Sequence, residues 1–69
     1  MIDYVIARTV HDRTEYLTNY RGDATTVARV WWGGLRDCLI LTQQEVRQVK
    51  AFLGRGCCRV LRVGVDVQV

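Results

Sequence analysis

Thr42-Gln43-Gln44-Glu45-Val46-Arg47-Gln48-Val49-Lys50-Ala51-Phe52-Leu53-Gly54 is the stretch that decides the architecture. A threonine followed three residues later by a glutamate is a capping box, in which each side chain satisfies a backbone N–H that the first helical turn leaves unpaired. Val46, Val49 and Leu53 then recur at spacings of three and four, with Phe52 beside them, so one face of the segment is apolar. Gly54 suits a left-handed stop. The pattern predicts a helix over Gln43–Leu53, and it is the only segment of the chain that does so.

Everything around this helix reads as strand. Tyr4–Val10 is β-branched and aromatic, His11-Asp12-Arg13 is a polar turn, and residues 14–20 form a second strand, which together make an antiparallel hairpin. Arg21-Gly22-Asp23 is turn-like. Residues 25–32 read as a third strand, ended by Gly33-Gly34. Leu35–Asp37 is a connector, and residues 38–41 are a short apolar segment feeding the helix cap. Gly54-Arg55-Gly56 is a flexible turn. Residues 59–69 alternate strongly, with Leu61, Val63, Val65, Val67 and Val69 on one side and Arg62, Gly64, Asp66 and Gln68 on the other, and predict a long final strand. The order is β-β-β-α-β. The fold class is α+β: one antiparallel sheet with one helix packed on one face, in a single domain over residues 1–69.

With 69 residues the chain holds one sheet and one helix but hardly a deep active-site cleft as well. An apolar fraction of 49% excludes general disorder. No apolar run approaches the roughly 20 residues of a membrane helix. Met1-Ile2-Asp3-Tyr4 carries none of the features of a signal peptide. The expectation is a cytoplasmic protein with no membrane association. The net charge is +3, a mild excess, and nine of the ten basic residues are Arg. The absence of proline fits a chain made of regular elements and short turns.

Three cysteines, Cys38, Cys57 and Cys58, argue against a disulfide framework. Adjacent cysteines in an extended strand point to opposite faces, so Cys57 and Cys58 are expected to stay unbonded. With His11 they lack CxxC spacing, so no metal is expected. His11 and Asp12 lie in a turn without a nucleophile beside them, which suits an exposed histidine better than an acid–base pair. Gly54-Arg55-Gly56 follows the helix, whereas a phosphate loop precedes one. No enzyme activity and no cofactor are expected.

One helix covers one sheet face and leaves the other to water or a partner. Alternation assigns Val5, Ala7, Leu17, Val30, Trp32, Leu61, Val63 and Val65 to the covered face. The open face then carries Tyr4, Arg8, Tyr16, Tyr20, Arg29, Trp31 and Arg62, with Ile6 as an apolar misfit. Trp31 and Trp32 are neighbours on a strand and face opposite ways, so one is a core anchor and the other a surface ring, or packs under the Gly33-Gly34 loop. Trp, Tyr and Arg are the residue types that dominate interface hot spots. The candidate binding residues are Trp31, Arg29, Tyr16, Tyr20, Arg62 and Arg8. Such a face fits a protein-binding patch or a stacking platform for unpaired bases. Asp3, Asp12, Glu15, Asp23 and Asp37 interrupt any basic stripe, which weakens the nucleic-acid alternative. The valine-rich final strand predicts an edge that pairs across a two-fold axis into a homodimer.

The layout resembles the small accessory proteins of bacteriophages and prophages, including anti-CRISPR proteins with a sheet and a single helix. The residues that carry the likeness are Tyr4-Val5-Ile6, Glu15-Tyr16-Leu17, the Trp31-Trp32 pair, the entry Leu39-Ile40-Leu41-Thr42 and the closing Val60-Leu61-Arg62-Val63. The resemblance implies a phage-encoded, non-enzymatic inhibitor that occludes a surface of a host protein machine such as a CRISPR–Cas complex. Many such proteins are acidic DNA mimics, and this chain is mildly basic, which favours blocking a protein surface. The family shares no functional motif, so none of its functional residues carries over.

Overall fold

The computed structural model describes residues 2–23, 26–54 and 56–69. Thr25, the expected start of the third strand, and Arg55, the middle of the expected flexible turn, lie outside the described residues. The elements are β1 (Tyr4–Val10), β2 (Arg13–Gly22), β3 (Val27–Gly33), a 3-10 turn (Leu35–Asp37), α1 (Gln43–Leu53) and β4 (Arg59–Arg62). The strands form one antiparallel sheet in the order β3-β2-β1-β4. The small α+β fold read from the pattern is the fold observed.

The β1–β2 hairpin turns at His11 and Asp12, both at positive φ (50° and 65°), between the facing residues Val10 and Arg13. Two central residues of that hand match the twist of the flanking strands, and His and Asp are among the non-glycine residues that tolerate it. Pairing of β1 with β2 ends at Ala7 opposite Tyr16. Beyond it, Leu41 exchanges backbone hydrogen bonds with Tyr4 (2.9 and 2.8 Å) and Leu39 N–H donates to the Leu17 carbonyl (2.8 Å). The segment feeding the helix is thereby tied to both central strands.

The helix begins as the sequence dictates. Glu45 N–H donates to Thr42 Oγ1 at 3.2 Å, and Thr42 N–H donates to Glu45 Oε1 at 3.0 Å. Val49 is fully buried, and Val46 and Leu53 pack on the same cluster. Phe52, by contrast, is 47% exposed. The core comprises Ile6, Leu17, Val27, Leu41 and Val49, with Tyr20, Val30, Trp32, Leu39 and Cys58 packed around it.

Three expectations need correction. The first concerns the faces. Leu17, Val30 and Trp32 belong to the helix-side core as expected, but Ile6 and Tyr20 join them, so Ile6 is no misfit. Registers carry this across the sheet, because directly opposed residues share a face. Tyr4 opposes Arg62, Ile6 opposes Val60 and Arg8 opposes Glu15, all on the helix side, whereas Val5, Ala7 and Leu61 lie on the far side. β1 is a central strand buried on both faces: Val5, Ile6 and Ala7 are all at 0% exposure. A run that is apolar on both sides gives alternation nothing to orient. In β2 a bulge intervenes. Leu17 faces Trp32 and Asn19 faces Trp31, so Thr18 is an extra residue and Tyr16 and Tyr20 fall on opposite faces.

The second correction is β4, which ends at Arg62 instead of running to the terminus. Gly64 takes φ +83°, and the Asp66 carboxylate accepts from Arg62 N–H (2.9 Å) and Nε–H (3.2 Å). A local turn with its own side-chain acceptor competes with continued pairing. The Arg62 carbonyl gathers N–H groups from residues 65, 66 and 67. The long edge strand on which the homodimer rests is therefore absent. Third, Cys57 and Cys58 do not point apart: their sulfurs are 3.1 Å from each other. Cys57 lies in a bend ahead of β4, where strand alternation does not apply.

Candidate interaction face

The face away from the helix is built from alternate residues of four strands. β3 contributes Arg29 and Trp31, two apart and therefore on the same side. Across from them on β2 stand Arg21, opposite Arg29, and Asn19, opposite Trp31. Tyr16 stands opposite Gly33 on one flank and Ala7 on the other. β4 adds Arg59, opposite Ala7, and Leu61, opposite Val5. A Cβ at Gly33 would lie 2.9 Å from Thr18 Cγ2, so a larger residue there would force the Thr18 methyl to shift.

Trp31 is half-buried, and the Arg29 guanidinium carbon sits 4.8 Å from its ring centroid. That separation is within the range of a cation–π contact. Stacking on the ring restrains the guanidinium, which lowers the entropy lost when its donors pair. Arg21, Arg29 and Arg59 are exposed. No carboxylate is among the strand residues of this face. Glu15 points to the helix side, where its Oε1 meets Arg8 Nη2 at 2.8 Å, Asp12 is in the hairpin turn, and Asp3, Asp23 and Asp37 lie outside the strands.

Of the six expected binding residues, Trp31, Arg29 and Tyr16 share this face, and Tyr20, Arg8 and Arg62 do not. Tyr20 donates its hydroxyl to Glu45 Oε2 at 2.8 Å, joining β2 to the helix cap. This bond raises the Tyr20 pKa, and the backbone N–H of Thr42 together with the Tyr20 hydroxyl lowers that of Glu45. Arg8 lies over Trp32, 4.2 Å from its centroid, while its Nε donates to Glu15 Oε1 at 2.9 Å. Arg62 is engaged by Asp66. All three are fastened to the fold. Sequence reasoning missed Arg21 and Arg59. The bulge that places Arg21 beside Arg29 has no sequence signature, but the opposed arrangement of Arg59 and Ala7 follows once β1 is oriented.

Among the described residues no group of three His, Cys, Asp or Glu side chains is placed to hold a metal ion. No helix among them is long and apolar enough to cross a membrane. No protein-family model, curated protein or solved structure matches this chain.

Proposed function

We propose that this is a non-enzymatic binding protein that occludes an acidic surface of a larger protein assembly, docking through the face that bears Trp31, Arg29, Arg21 and Tyr16. The observation that carries the reading is the Arg29–Trp31 stack at 4.8 Å within an arginine-bearing face free of strand carboxylates. Aromatic anchors with neighbouring arginines are the composition of interface hot spots, and electrostatic complementarity then sets partner choice and on-rate. The resemblance in layout extends the proposal to a phage-encoded inhibitor of a host machine of the CRISPR–Cas kind, acting in the host cytoplasm.

The test is affinity capture from a bacterial lysate with wild type and Trp31→Ala side by side, followed by binding measurements on the purified prey. A prey retained by wild type, lost by Trp31→Ala and released by moderate salt supports the proposal, provided the variant melts like wild type. A prey retained equally by both places the docking surface elsewhere, the helix face around Arg47 and Lys50 being the next to vary.

A second reading, a module for single-stranded nucleic acid, gains from the same absence of strand carboxylates. Tyr16 and Trp31 supply rings, and Arg21, Arg29 and Arg59 supply charge. Against it, Arg29 already occupies one face of the Trp31 ring. Fluorescence anisotropy with a labelled oligonucleotide separates the two. Nucleic-acid binding weakens linearly in log–log salt, with a slope of about −0.7 per phosphate neutralised on a single strand. Tight binding with such a slope, abolished in Trp31→Ala, replaces the first reading with the second.

A further inference from the structure

We propose that Cys57 and Cys58 form a vicinal dithiol that closes reversibly to a disulfide when a hydroperoxide oxidises it, at the junction between α1 and β4. This site shares Arg59 with the Trp31 face and stands whether or not that face binds a partner.

The geometry brings the two thiols together. Their sulfurs stand 3.1 Å apart, although the residues are sequence neighbours. Gly56, at φ +77°, turns the chain immediately before them, and Cys57 falls in the resulting bend. Closing the bond to its usual length of about 2.05 Å brings the sulfurs roughly 1 Å nearer. Cys57 is exposed and Cys58 half-buried, so a small oxidant reaches Cys57 first. Burial pushes the Cys58 thiol up to about 11, which keeps it protonated until the partner is activated. Arg8 and Arg59 line the same shallow depression as both cysteines, and Lys50 Nζ donates to the Cys58 carbonyl at 3.4 Å. Lys50 and Arg8 oppose the rise at Cys58 without cancelling it. Cys38, the third cysteine, lies in the segment before the helix and belongs to neither wall of this depression.

The chemistry balances without a metal or cofactor. The Cys57 thiolate attacks the terminal peroxide oxygen, the O–O bond breaks, and a sulfenic acid forms together with hydroxide from hydrogen peroxide or an alkoxide from an alkyl hydroperoxide. The Cys58 sulfur then attacks the Cys57 sulfur and forms the S–S bond. The S–O bond breaks, the sulfenic oxygen leaves as hydroxide, and it takes up the Cys58 proton to become water. The dithiol loses two electrons and two protons, and hydrogen peroxide is reduced to two waters, or an alkyl hydroperoxide to one water and its alcohol. Two Cα atoms about 3.8 Å apart are closer than the roughly 4.4–6.8 Å of ordinary disulfides. Such a bond is strained and easily reduced, which makes it a labile modification and not a structural clamp. Closure also removes the S–H that Cys57 directs at the Leu53 carbonyl (3.2 Å) and the Gly54 carbonyl (3.6 Å), at the C-terminal end of α1.

The experiment uses the full chain carrying Cys38→Ser, reduced, desalted and exposed to a few equivalents of hydrogen peroxide. Alkylation with iodoacetamide under denaturing, non-reducing conditions is followed by intact-mass measurement. The expected result is two alkylated thiols before peroxide and none after, a loss of two hydrogens in mass, a monomer on a non-reducing gel, and full recovery with a phosphine. Cys57→Ser and Cys58→Ser, each in the same background, should lose no hydrogens and instead take up oxygen on the remaining sulfur. The proposal is overturned if the two-thiol chain only gains oxygen, or if the disulfide joins two chains.

Discussion

The Glu45 carboxylate is the joint between helix and sheet, and its removal is the most informative perturbation of the fold. Oε1 accepts from Thr42 N–H at 3.0 Å, and Oε2 accepts from the Tyr20 hydroxyl at 2.8 Å. The capping contact contributes about 1 kcal/mol. A hydrogen bond to an ionised group contributes about 1.5–3 kcal/mol, and the partial exposure of this one places it at the lower end. Glu45→Ala should therefore destabilise by about 2.5 kcal/mol, whereas Thr42→Ala, which leaves the tyrosine bond in place, should cost about 1 kcal/mol. For a domain of this size each kcal/mol lowers the melting temperature by roughly 4–8 °C, so Glu45→Ala should melt roughly 10–20 °C below wild type. Thermal unfolding followed by circular dichroism reads these shifts, and Tyr20→Phe completes a double-mutant cycle with a coupling of about 1.5 kcal/mol. pH supplies an independent check. The folded pKa of Glu45 is lowered, so its contribution is fully present above the unfolded carboxylate value and is lost as pH falls through the folded one. The gap between wild type and Glu45→Gln should thus narrow as the solution is acidified below about pH 4. A coupling indistinguishable from zero, or a gap that widens in acid, would refute the joint.

Further outcomes follow from the same geometry. Trp32, packed on the core beneath Arg8, should cost about 3 kcal/mol when replaced by Ala, while Trp31→Ala should change stability by less than about 1 kcal/mol; urea unfolding of the pair checks the face assignment. Gly22→Ala should be strongly destabilising, because the added Cβ would overlap the Thr26 carbonyl oxygen across the β2–β3 turn, and a well-dispersed spectrum at ordinary temperature for that variant would contradict the turn geometry. With β4 only four residues long and followed by its own turn, light scattering at micromolar concentration should return a monomer of 7.9 kDa instead of the dimer that the valine pattern suggests.

Local rules determined much of this protein. The Thr42–Glu45 capping box, the 3.6-residue periodicity and Gly54 placed α1 to the residue, because the signals that start and stop a helix lie within the helix and its caps. β-branched runs and polar turns likewise placed β1, β2 and β3, and with them the β-β-β-α-β order. The covered side of Leu17, Val30 and Trp32 was also legible, but which side of β1 and β4 meets the helix was decided by tertiary structure. The central strand β1 is apolar on both sides, the bulge at Thr18 reverses parity within β2, and the Asp66 carboxylate ends an alternation that would otherwise have run to the terminus. A period of two records that neighbours diverge but not which neighbour is covered, and one extra residue flips every side chain beyond it. The gathering of Arg21, Arg29, Trp31 and Tyr16 on one face, and the release of Tyr20 and Arg8 to brace the other, follow from pairings between residues distant in sequence. Those pairings form only when the sheet closes on its core.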